Sequence, residues 1–66
     1  MIRFNVDKLL KQQGKTVYWL SKQTGISQNS LAKIVKNQTT GINFDTLEKI
    51  CIALNCDISD VLKLEK

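Results

Sequence analysis

Between Val6 and Leu54 apolar residues recur at spacings of three and four, the period of a helix, and the pattern breaks where turn chemistry appears. Val6, Leu9 and Leu10 give a first stripe that runs to Gln13 and stops at Gly14, a residue able to take the left-handed conformation that closes a helix. Thr16 precedes a second helix, Val17 to Thr24; Ser27 a third, Gln28 to Lys36; Asn43 a fourth, Phe44 to Leu54; and Asp57 a fifth, Ile58 to about Leu64. Each of these four polar residues offers a side-chain oxygen to the unpaired amides of a first helical turn. The last three share a further signature, because Ile26 and Leu31, Ile42 and Leu47, and Cys56 and Val61 straddle the cap at the spacing of a hydrophobic staple. Ahead of the first helix, Ile2, Phe4 and Val6 alternate with Arg3 and Asn5, which fits a short extended arm or strand, one able to pair in a dimer. Asn37 to Gly41, "NQTTG", reads as a loop. The pattern predicts an all-α fold, a compact five-helix bundle in which residues 1–66 form a single domain.

Composition narrows what such a bundle can do. A chain this short buries only about 60% of the surface its unfolded form exposes, which leaves room for a binding surface and little for a deep pocket. Its 42% apolar and 24% charged residues fit a globular chain, and the absence of proline favours helices. The longest apolar run, Ile50 to Leu54, is too short for a membrane span, and Arg3, Asn5, Asp7 and Lys8 interrupt any signal-like stretch, so the expected compartment is the cytoplasm.

The net charge of +4 matters through its placement. Lys8 to Phe44 contains six lysines and no acid, whereas Asp45 to Lys66 contains three lysines against five acids. Such asymmetry points to a polyanion contacted by the first block. With no histidine, no glycine-rich phosphate loop and no acid in the basic block, an enzyme is the weakest reading. Cys51 and Cys56 make at most half a zinc site, and Cys51 falls in the apolar pattern of Leu47, Ile50 and Leu54, so packing explains it. No metal, cofactor or small-molecule ligand is expected.

The connection between the second and third helices is Gly25, Ile26, Ser27. Glycine supplies a positive φ, Ile26 can turn inward, and Ser27 caps the next helix, so the chain reverses in three residues, with Ser21 small enough to let the helices cross closely. This is the spacing of a helix-turn-helix. The stretch "TVYWLSKQTGISQNSLAKIVKN", continued by "FDTLEKICIALNCDISDVL", resembles the Xre-type helix-turn-helix proteins related to lambdoid phage repressors and Cro. The resemblance covers about residues 6 to 64 and implies a phage-repressor-type bundle that presents its third helix to the DNA major groove. Three departures stand out: Val17 where a phosphate-touching glutamine is frequent, Ser21 where alanine is usual, and Lys36-Asn37 where Asn-Gly is common.

The third helix itself has two faces. Leu31, Ile34 and Val35 form an apolar one, while Gln28, Asn29, Ala32, Lys33 and Lys36 fall on the other. Gln and Asn amides can pair bidentately with adenine, Lys can donate to guanine, and an alanine can admit a thymine methyl. Gln28, Asn29, Ala32 and Lys33 are therefore the candidate base readers. Ser27 and Thr16, each at a helix start, together with Lys36, Asn37 and Thr39, are the candidate phosphate contacts.

Two or three side chains that each discriminate by about 1–3 kcal/mol leave one subunit short of the roughly 4–10 kcal/mol that separates specific from non-specific binding. Two symmetric copies would clear it, and the family resemblance implies a homodimer on a near-palindromic site. Phe44, Val61, Leu62 and Leu64 are candidate interface residues, with core packing the stronger role for Val61 and Leu62. The expected function is a sequence-specific regulator of transcription on double-stranded DNA, a repressor by family analogy. The competing class is a protein-interaction module on the same fold, such as an antitoxin subunit.

Overall fold

Four side-chain caps and four left-handed residues, Gly14, Gly25, Asn37 and Asn55, divide the described residues. The computed structural model, described for residues 1–65, holds five helices: α1 (Val6–Gln13), α2 (Val17–Thr24), α3 (Gln28–Val35), α4 (Phe44–Leu54) and α5 (Ile58–Val61). Thr16, Ser27 and Asn43 accept hydrogen bonds from the backbone amides of Trp19, Ser30 and Thr46 at 3.0, 3.2 and 2.9 Å. Asp57 and Asp60 close a reciprocal capping box at the start of α5. Gly25 ends α2 at φ 75°, a conformation that costs a residue with a Cβ and costs glycine little. Asn37 and Asn55, at φ 58° and 52°, do the same after α3 and α4, asparagine being the non-glycine residue that best tolerates it.

The core lies where all five helices meet. Leu20, Leu31, Ile50, Leu54, Val6 and Val61 are the largest fully buried side chains, drawn from every helix, and the staple residues Ile26, Ile42 and Cys56 pack against them. Gln13 ties α1 to the end of α4 by donating to the Leu54 carbonyl at 2.8 Å.

The fold departs from the expected bundle at both ends of the chain. Ile2–Phe4 form a strand, β1, whose antiparallel partner is a second strand, β2 (Leu62–Leu64), in the register Ile2–Leu64, Arg3–Lys63 and Phe4–Leu62. The fifth helix thus ends at Val61 and does not reach Leu64. The reason lies in two hydrogen bonds. In a continuing helix the Glu65 amide would donate to the Val61 carbonyl; here it donates to Met1 at 2.7 Å, and Val61 accepts from Asn5 at 2.7 Å. The alternation of Leu62, Lys63 and Leu64 suits this arrangement, since the apolar face of the ribbon carries Phe4 into the core. The domain is mostly helical, with a two-stranded ribbon closing one end.

Candidate nucleic-acid interface

The joint between α2 and α3 is knitted by side chains at fixed positions. Ser21 Oγ donates to the Ile26 carbonyl at 2.6 Å. Thr24, buried, donates to the Leu20 carbonyl at 2.8 Å and accepts from the Ile26 amide at 3.2 Å. These side-chain bonds tie the end of α2 to the start of α3 across the turn. Ser21 thereby contributes a hydrogen bond as well as small size. Thr24 carries no signal in the sequence pattern, because its role depends on contacts formed only after the turn closes.

Along α3, Leu31 and Ile34 are buried, Val35 and Ala32 are half-buried, and Gln28, Asn29, Ser30 and Lys33 are exposed. The four candidate base readers thus share one side of a single helix, with Ala32 at its margin. Gln28 and Asn29 occupy the first two helical positions, where the amides not bonded within the helix also point outward.

The phosphate candidates are placed less uniformly. Thr16 and Ser27 serve as caps, and Ser27 Oγ also donates to Ser30 Oγ at 3.0 Å. Lys36 is exposed at the end of α3. Thr39 is half-buried, its hydroxyl donating to the Gly41 carbonyl at 2.8 Å. The Asn37 side chain is turned toward β1: its Oδ1 accepts from the Phe4 amide at 2.6 Å and its Nδ2 donates to the Phe4 carbonyl at 3.1 Å. This bracket holds the ribbon to the end of α3.

Lys33 and Thr39 come together with Ser30, Asn43 and Thr46 in a groove between α3 and the start of α4 that no carboxylate lines. Asn43 is the expected cap of α4, whereas Ser30 and Thr46 carry no distinctive spacing and enter only through the packing of α4 against the loop. The acids lie elsewhere: the cleft at the α4–α5 junction is lined by Asp57 and Asp60 together with both cysteines. Burial, reinforced by these two carboxylates, pushes the Cys51 thiol above its ordinary range; burial, with Cys51 and the same carboxylates, does so for Cys56. Charge in space therefore follows charge in sequence. Just ahead of α2 the Lys15 ammonium sits 4.9 Å from the centre of the half-buried Trp19 ring, and within α2 that of Lys22 sits 5.3 Å from the exposed Tyr18 ring.

Among the described residues no helix is long and apolar enough to cross a membrane. The model of the Cro/C1-type HTH DNA-binding domain matches residues 5–66. An uncharacterised HTH-type transcriptional regulator of Bacillus subtilis (strain 168), YozG, is 34% identical over 62 residues, which are 94% of this chain and 74% of that protein. The crystal structure of a candidate DNA-binding protein from Bacteroides fragilis has a TM-score of 0.85 at 25% identity, with 96% of this chain and 100% of the other aligned. A basic helical face set on a fixed turn, on a fold shared over nearly the whole chain, identifies a DNA-binding regulator domain with double-stranded DNA as its partner class. The chain belongs to the Cro/C1-type helix-turn-helix DNA-binding domain family.

Proposed function

We propose that α2 and α3 form the helix-turn-helix and that α3 enters the major groove of a specific duplex, which the protein occupies as a homodimer to repress transcription. Gln28, Asn29 and Lys33 read base edges in this account, and Ala32 meets a thymine methyl. Lys36, Thr16, Ser27 and Thr39 position the phosphates on either side, the caps offering first-turn amides as well as hydroxyls. Asn37 belongs to this set through the loop it anchors, since its amide is occupied by Phe4.

The observation that carries the reading is the exposure of Gln28, Asn29 and Lys33 together on a helix within a 37-residue stretch, 8–44, that contains no acid. A module for a protein partner would more naturally expose apolar groups there. The polyanion reading is tested by titrating labelled duplex DNA across a salt series. The affinity is expected to fall linearly in log–log form, and Lys36→Ala to reduce the slope by about one while weakening all sequences alike. Failure to bind duplex at low salt, by folded protein, would contradict the reading and favour a protein-interaction module.

A further inference from the structure

The end of α4 brings Cys51 and Cys56 together. Asn55 takes the left-handed conformation at φ 52°, the Cys56 amide donates to the Cys51 carbonyl at 3.1 Å, and the Asn55 amide donates to the Ile52 carbonyl at 3.1 Å. These two bonds define a Schellman motif, and Cys51 and Cys56 hold the two positions whose side chains meet across it. Helices α1 and α3 close with the same pair of bonds, joining Lys15 to Leu10 and Gln38 to Lys33, so the motif itself does not call for cysteine.

At α4 two thiols therefore stand where an apolar contact would serve. Both are free and half-buried, and both line the same two clefts, one on the side of Asp60 and one on the side of Phe44 and Ile58. Burial raises the Cys56 thiol most, and the neighbouring Cys51 adds to it. An amide bonded directly to the other residue's carbonyl holds the two α-carbons at a separation a disulfide spans, roughly 4.4–6.8 Å.

We propose that Cys51 and Cys56 form an oxidation site, which a low-molecular-weight disulfide closes into an intramolecular disulfide that staples the end of α4 to the start of α5. One protein thiolate attacks a sulfur of the reagent, forming a mixed disulfide and expelling one reagent thiolate. The second protein thiolate then attacks the protein sulfur of that mixed disulfide, forming the Cys51–Cys56 bond and expelling the other reagent thiolate. The protein gives up two protons and two electrons, and the reagent leaves as two thiols. Because the backbone is already in place, closure needs only side-chain rotation, so the cross-link constrains the unfolded chain without straining the native one. The site lies at the far end of α4 from the groove that holds Lys33 and is independent of the reading of DNA.

Incubation of the full chain with oxidised glutathione, followed by mass spectrometry and thermal melting, tests it. Wild type is expected to end two hydrogens lighter, with no retained glutathione and no cross-link between chains. Its Tm is expected to rise by about 5–15 °C and to revert on reduction. Cys51→Ser and Cys56→Ser are each expected to stop at the mixed disulfide. A Cys56→Ser, Ala53→Cys variant also carries two thiols, but two residues apart on a helix they point to different sides, so it is expected not to close. Wild type that stays reduced, retains glutathione or cross-links between chains overturns the proposal. So does a closed form that melts no higher than the reduced one, or closure of the 51–53 pair as readily as the native pair.

Discussion

Asn37 combines two requirements that few side chains meet together. Its backbone sits at φ 58°, and its carboxamide completes the edge of β1 with two hydrogen bonds to Phe4. Asn37→Gly keeps the conformation and removes the bracket, so a loss of about 1–3 kcal/mol is expected from two hydrogen bonds. Asn37→Ala adds the steric cost of the left-handed region, about 1 kcal/mol more. Urea unfolding of both variants checks the order, wild type above glycine above alanine. The cysteines make a second prediction at this scale. Both thiols are raised in the folded state by burial and by Asp57 and Asp60, so the native protein keeps protons that the unfolded chain has already released. Stability is then fully present below the ordinary thiol range and falls as pH rises through it toward the raised native values. Replacing both cysteines by alanine should flatten that alkaline decline in a series of thermal melts, whereas an unchanged slope would assign it to other groups.

At the scale of elements, the caps were readable from sequence because each is a local bargain between one side chain and amides two or three residues on. Thr16, Ser27, Asn43 and Asp57 all sit where the polar-to-apolar switch places them. The ribbon was not readable in the same way. Its two strands are three residues each and lie at opposite ends of the chain, and so little alternation cannot announce a partner some sixty residues away. The helical period of Ile58, Val61 and Leu62 also continues smoothly into β2, which is why the fifth helix reads too long. The candidate site divides along the same line: the exposed stripe of α3 follows from periodicity, while Thr24 and the engagement of Asn37 depend on what folds against them. Ser27 offers a test that separates its two roles. Ser27→Ala should cost about 1 kcal/mol of stability by losing the cap. Ser27→Asp should keep the cap and stability yet weaken duplex binding by about tenfold at low salt, since it places a negative charge beside phosphate. A stable Ser27→Asp protein with wild-type DNA affinity would remove Ser27 from the interface.

For the whole molecule, the arrangement separates tasks by location. All five helices contribute to the core, while α4, α5 and the chain between and after them carry the acids of the second half and α2, α3 and the loop after them hold none. To so small a core the bonded turn and the Asn37 bracket add polar ties among α2, α3 and the ribbon. The central claim is that Gln28, Asn29 and Lys33 read bases. Its most direct test is selection from a randomised duplex pool with wild type and, in parallel, a folded Gln28→Ala, Asn29→Ala, Lys33→Ala variant. The account predicts a two-fold-symmetric motif enriched by wild type and lost in the variant. No enriched motif, or the same motif from both proteins, would contradict it.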